Sequence, residues 1–292
     1  MSYAIVTDTS ANLPTPLAEE HGIPVIPFSY FYGGKEYTCT DTEQFDGAEY
    51  FNLMRHGTLI TTSQINPQRY VEVLRPLLAA GQDILFVGMS SGISGSFHCA
   101  ELASEELLPD FPDRRIELVD TLGASLGEGI PVLKAAEFRQ DGVSLEENAA
   151  RLRELCRCMY QVFIVDDLMH LRRTGRLSSA LAIVGSLLQI KPILKGNERG
   201  QIVNFAKVRG RRKAIEALAE RYDTFVRNAP EQIVGIAHAD CAADAEYLAT
   251  LLRRNHPPKE ILIVMYEPVT GSHVGPDTLA LFFHGDKDVR SK

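Results

Sequence analysis

Residues 88–100, GMSSGISGSFHCA, set four serines (Ser90, Ser91, Ser94 and Ser96) among Gly88, Gly92 and Gly95. The apolar run Ile84-Leu85-Phe86-Val87 precedes them and a helical pattern follows. Two chemistries suit such a strand-to-helix turn. Gly88-Met89-Ser90-Ser91-Gly92 fits G-x-S-x-G, the nucleophile elbow of serine hydrolases and acyltransferases. Its partners would come in the order Asp120, Asp166 or Asp240, then His238 or His273. Alternatively, the glycines let backbone approach a ligand closely, and amides and hydroxyls at a helix start favour an anionic or carbonyl oxygen. Against the elbow, Gly92-Ile93-Ser94-Gly95 separates Ser90 from the helix, and no His-Gly-Gly-Gly oxyanion stretch precedes it. The plain structural alternative is a serine-glycine turn that caps a helix.

The elements around this turn read as an α/β protein. Short apolar runs alternate with helical patterns in the first half, the mark of a parallel sheet. Strands are expected over residues 4–6, 23–31, 84–87 and 116–119, with helices over 14–20 and 46–56. Gly33-Gly34 predicts a hairpin between residues 23–31 and 35–39. Asp46 and Glu49 form a capping-box pattern, and Gly57 ends that helix. Ser144 opens a helix through about Tyr160, with Leu145, Leu152, Cys156 and Met159 on one side. Residues 162–165 then begin a second domain. Residues 177–188 are apolar nearly all round, which predicts a helix buried on several sides. Strands over 193–205, 234–237, 261–265 and 279–284 and helices over 211–226 and 242–254 complete it. The division expected is 1–160, with a hairpin projecting near 23–40, and 161–292.

Composition narrows the function classes. The chain has 292 residues and a net charge of −8, without the basic footprint of a nucleic-acid binder. No apolar stretch is long enough to span a bilayer, and the start carries no basic leader or cleavage signal. Five cysteines form no C-x-x-C pair, so a reducing, cytoplasmic setting is expected. No His/Cys/Asp cluster has metal-ligand spacing, and neither a dinucleotide fingerprint nor a G-K-[ST] phosphate loop occurs.

Eight segments, the serine-glycine turn among them, occur in one order along nearly the whole chain: IVTDTSANL (5–13), TSQ (62–64), SSGISGSFHCA (90–100), LVDTLGASLGEG (118–129), LMHLRRTGRLS (168–178), KPIL (191–194), KVRGRRKAI (207–215) and PVTGSHVGPDTLALFF (268–283). With these the chain resembles the DegV family of bacterial fatty-acid-binding proteins. The resemblance implies a three-layer, parallel-sheet N-terminal α/β domain and a two-layer, mixed-sheet C-terminal one, with a ligand tunnel between them. It implies a fatty acid whose tail fills the tunnel and whose carboxylate sits at the domain interface. It also implies a non-catalytic carrier that presents this acid to a separate kinase, which makes an acyl phosphate for phospholipid synthesis. By the same resemblance Thr62, Ser94 and His273 contact the carboxylate, and Arg209 serves the kinase interaction. The fatty acid would be a ligand rather than a cofactor, and no metal, nucleic acid or stable membrane insertion is implied. Ile65-Asn66 after Gln64, Ser96 after the second glycine and Thr121 after Asp120 depart from the family pattern.

The physics suits that expectation. Each buried CH₂ is worth about 0.8 kcal/mol, so a tail of roughly 15 gains about 12 kcal/mol gross, offset in large part by lost freedom. Hydroxyls then fix the head group without burying another charge. Taken singly, Thr62 reads as a loop hydroxyl or a helix cap near Pro67, and His273 as a structural histidine. The basic runs 172–176 and 207–213 read as solvated faces or as a patch that steers an anionic partner. Another anionic amphiphile, such as a sterol-like acid or isoprenoid, would satisfy the same residues.

Overall fold

The computed structural model describes residues 3–177 and 190–292. Along the chain come β1 (Tyr3–Asp8), α1 (Thr15–Glu20), β2 (Val25–Ile26), β3 (Ser29–Tyr32), β4 (Lys35–Thr38) and α2 (Gly47–Arg55). Next are β5 (Thr61–Ser63), α3 (Pro67–Ala79), β6 (Asp83–Gly88), α4 (Ser96–Leu107), β7 (Ile116–Asp120), α5 (Leu126–Gln140) and α6 (Leu145–Cys158). Then follow β8 (Met159–Ile164), α7 (Met169–Arg173), β9 (Ile190–Gly196), β10 (Ile202–Arg209) and α8 (Arg211–Phe225). The last are β11 (Ile233–His238), α9 (Ala242–Asn255), β12 (Glu260–Met265), α10 (Pro268–Val274) and β13 (Leu279–His284).

The chain divides into two compact units. The first comprises the residues through Phe45 and Ile60–Cys156; the second comprises Asp46–Leu59 and Arg157–Lys292. The second unit thus includes α2 as well as the C-terminal half, where sequence reading set one boundary at 160. In the first unit, β2-β1-β6-β7 form an all-parallel sheet. Every residue of β1 and β6 is buried, as strands covered on both faces should be. Helices α3 and α4 pack together and reach β6 and β7, while α5 packs on β1 and β6.

A smaller antiparallel sheet, β4-β3-β5, carries the predicted hairpin. Gly33 and Gly34 both have positive φ (57° and 76°), the conformation that a tight two-residue hairpin loop requires. Two sequence expectations change here. The single strand expected over 23–31 splits into β2 and β3, which belong to different sheets. Pro27 lies between them, and a proline cannot donate to a ladder. Strand β5 was not expected at all; it pairs Thr62 with Tyr30.

In the second unit a mixed sheet runs β10-β9-β8-β13-β11-β12, parallel only between β11 and β12. Helices α8 and α9 lay Ile215, Leu218, Tyr222, Leu248 and Leu252 into one core with Val162, Ile236 and Phe283. The helix expected to reach Tyr160 stops at Cys158. Met159 and Tyr160 pair with His284 and Phe283 instead, so a long-range ladder overrides the local helical period. The apolar helix expected over 177–188 lies, except for Leu177, outside the described residues.

Candidate functional site

In the first unit the chain leaves β6 at Gly88 and enters α4 at Ser96 through a turn held by its own serines. Ser90 is fully buried. Its N–H donates to Gly123 O (2.8 Å), its hydroxyl accepts from Gly92 N (3.1 Å), and its carbonyl accepts from Ile93 N and Ser94 N. Ser91 Oγ donates to Asp120 Oδ2 (2.6 Å), and Asp120 Oδ1 accepts from Leu122 N (2.8 Å). Thr121 Oγ1 donates to Gly88 O (2.9 Å). The turn is therefore fastened to the exit of the neighbouring strand β7.

Ser94 is half-buried. Its hydroxyl accepts from Ser96 N (3.2 Å) and donates to Ser96 Oγ (3.0 Å), and Ser96 Oγ accepts from Ile65 N (3.1 Å). A Cβ on Gly95 would collide with the Gln64 carboxamide. Gln64 Nε2 donates to Cys99 Sγ (3.4 Å). So the residues that follow β5 lie directly on the 94–96 turn, and the two motifs carrying Thr62 and Ser94 are built together. Thr62 itself is half-buried in β5. The helix start near Pro67 is capped by Asn66, whose side chain accepts from Arg69 N (2.9 Å).

His273 belongs to α10 of the second unit, a seven-residue helix not foreseen in the sequence. Glu267 starts it by accepting from Val269 N (2.6 Å) and Thr270 N (2.5 Å). Burial, aided by the Arg176 charge, pushes the His273 imidazole down to about 4. At neutral pH the ring is uncharged and offers one N–H and one acceptor. Gly275 ends α10 with φ at 84°, and a Cβ there would meet the His170 ring. Arg209 ends β10, exposed and paired with Ile190. Nearby, Asp166 neutralises Lys191 (2.8 Å) and Arg211 (3.1 Å), and Asp244 pairs with Arg211 (2.8 Å).

The alternative reading of Ser90 as a nucleophile elbow is not favoured by its surroundings. Ser90 is enclosed, and each candidate acid is engaged elsewhere: Asp120 with Ser91, Asp166 with Lys191 and Arg211, Asp240 with Arg55. His238 is buried and lowered by desolvation, with Nδ1 accepting from Cys241 N (3.3 Å). Among the described residues, no group of three or more His, Cys, Asp or Glu could hold a metal ion. Nor is any described helix long and apolar enough to cross a membrane. Sequence reading missed one polar cluster, Asp8, Ser10 and Glu128, behind the turn. Its signal was the placing of Asp8 and Glu128 in two of the motifs quoted above, IVTDTSANL and LVDTLGASLGEG.

The family model described as uncharacterised protein, DegV family, matches residues 2–286. A DegV domain-containing protein of Clostridium perfringens is 39% identical over 284 residues, covering 97% of this chain and 98% of the relative. Among solved structures, a Thermus thermophilus DegV family protein, described by its fatty-acid binding, superposes with a TM-score of 0.88 at 32% identity. That match covers 98% of this chain and 100% of the other. Bacillus subtilis DegV, described as a fatty-acid-binding protein, gives 0.84 at 31% identity with the same coverage of each chain. With the family model and these relatives spanning almost its whole length, the chain belongs to the DegV family.

Proposed function

We propose that this protein is a non-catalytic carrier that binds a long-chain fatty acid, its tail in an internal apolar tunnel and its carboxylate on Thr62 and Ser94. His273, uncharged at neutral pH, is a further head-group residue in this reading, as a neutral donor. The carrier presents the carboxylate to a separate kinase for acyl-phosphate formation that feeds phospholipid synthesis, and Arg209 belongs to the kinase contact. The observation that carries the reading is the docking of residues 64–65 on the 94–96 turn, which joins two hydroxyl motifs far apart in sequence. The fatty-acid binding of the Thermus and Bacillus relatives supports the ligand class. A carboxylate suits the site because hydroxyls donate to it without introducing a second buried charge, Ser94 turning its proton from Ser96 Oγ to do so.

The test is extraction of lipid from protein purified from cells, followed by delipidation and reloading with palmitate. A noncovalent fatty acid in the extract and saturable palmitate uptake are expected. Ser94→Ala removes one hydrogen bond to a charged group, worth about 1.5–3 kcal/mol, so palmitate affinity falls by roughly ten- to a hundredfold. Arg209→Glu leaves palmitate affinity unchanged and slows phosphate transfer by the kinase subunit. No fatty acid in the extract together with no palmitate uptake would overturn the reading.

A further inference from the structure

Behind the serine-glycine turn, Thr7, Asp8, Ser10 and Glu128 are all fully buried. Ser10 Oγ lies 2.5 Å from Asp8 Oδ1 and 2.5 Å from Glu128 Oε2. Asp8 Oδ1 also accepts from Ser10 N (2.9 Å), and Asp8 Oδ2 accepts from Met89 N (3.3 Å). Thr7 Oγ1 is 2.8 Å from Val87 O and 3.1 Å from Glu128 Oε1. A hydroxyl owns one proton and an ionised carboxylate none. Ser10 can therefore donate to only one of its two acids. The other contact sets lone pair against lone pair unless that acid supplies a proton. Two buried carboxylates bridged by a single atom cannot both stay ionised.

We propose that Asp8 and Glu128 share one proton through Ser10, and that this shared proton positions the turn that carries Ser94. The positioning is direct, because Asp8 holds Met89 N at the first residue of the turn. The cluster also reaches α5: Ser125 N donates to Ser10 O (2.7 Å), and Asn12 Nδ2 donates to Ser125 Oγ (3.0 Å). It thus joins the ends of β1 and β6 to the start of α5. When the proton is lost, repulsion drives Asp8 and Glu128 apart, and Met89 N is the tie that loosens. From α3 the cluster faces Tyr70, which burial raises above its ordinary value and the charges of Asp8 and Glu128 raise further. Tyr70 cannot neutralise the acids. Burial lifts the Asp8 carboxyl to about 6, against hydrogen bonds from Ser10, Met89 and Glu128 that lower it.

Infrared difference spectroscopy of the full chain tests the shared proton without any lipid. Wild type should show the carbonyl stretch of a buried neutral carboxylic acid at mildly acidic pH. The neutral population falls about tenfold for each pH unit above its midpoint. Glu128→Gln supplies a permanent donor to Ser10 and takes away the second carboxylate; Asp8 stays buried, so its band remains but its midpoint shifts. Asp8→Asn takes away the other acid, shifts the midpoint likewise and serves if Glu128→Gln does not fold. Hydrogen exchange at residues 89–94, corrected for intrinsic rates, should accelerate with the same midpoint in wild type and follow the shifted midpoint in either variant. A wild type without the band, or variants that keep the wild-type midpoint in both band and exchange, would overturn the proposal. The consequence for Ser94 rests on the fatty-acid reading: palmitate affinity of wild type should follow the same midpoint. Palmitate binding that ignores pH while the band titrates would break the link to the turn but leave the shared proton standing. No palmitate binding at any pH is instead the failure of the fatty-acid reading itself.

Discussion

Burial moves Asp8 and His273 in ways that give opposite slopes of stability with pH. His273 falls from 6.5 to about 4 in the folded chain. Between those values the unfolded chain binds a proton that the folded chain refuses, so stability is lost as pH drops through this window and is complete above it. Asp8 rises from 3.8 to about 6. There the folded chain holds a proton that the unfolded chain releases, so this contribution is complete below 3.8 and is lost as pH rises through 6. The two groups lie in different units and are separable by substitution. His273→Gln should flatten the acid-side loss and leave the Asp8 slope, whereas Asp8→Asn should do the reverse. Urea midpoints followed by circular dichroism across this range check both, and unchanged slopes in the variants would assign the pH dependence to other residues.

At the scale of elements, two glycines separate packing from backbone strain. Gly129, inside α5, is buried against the Ala11 carbonyl, and a Cβ there would collide with that backbone atom. Gly129→Ala should cost about 1–3 kcal/mol as overpacking and displace the 9–11 turn beside Asp8. Gly142 has φ at 79° with open space around it, so Gly142→Ala should cost about 1 kcal/mol through its left-handed backbone alone. Thermal melts of both variants give the order, and a Gly142 variant worse than the Gly129 one would contradict it. The same elements show what local sequence could disclose. The run 84–87 read correctly because a fully covered parallel strand is continuously apolar. The end of α6 misread because Met159 and Tyr160 fit a helical stripe while pairing with residues about 125 positions away in β13. Strand β5 has only three residues and no apolar alternation, so nothing local marked it. Ser94 and Thr62 were legible as motif hydroxyls. The Gly95–Gln64 and Ser96–Ile65 contacts that join them depend on tertiary approach.

The largest departure from a linear reading concerns the whole molecule: the second unit contains Asp46–Leu59, separated by nearly a hundred residues from the rest of it. Three contacts bind that segment within the unit. Phe51 is fully buried, and a Cβ on Gly271 would come within 2.9 Å of its ring. Tyr50 Oη donates to Pro268 O (2.6 Å). Arg55 bridges Asp240 (2.5 Å) and Asp277 (2.8 Å). The first matters most, since truncating a buried aromatic costs about 3–5 kcal/mol, whereas a partly exposed ion pair is worth up to about 1 kcal/mol. Phe51→Ala should therefore loosen α10, whose Gly271 has no Cβ so that the ring can lie against its backbone. Hydrogen exchange should show lost protection at residues 268–275 and at the adjoining end of β13, with α3 and α4 exchanging as in wild type. Arg55→Ala should produce the same pattern, weaker. Loss confined to α3 and α4 would instead tie the segment's stability to the first unit. The glycine in the motif that carries His273 then has a mechanical reason: it seats a helix contributed from the other half of the sequence.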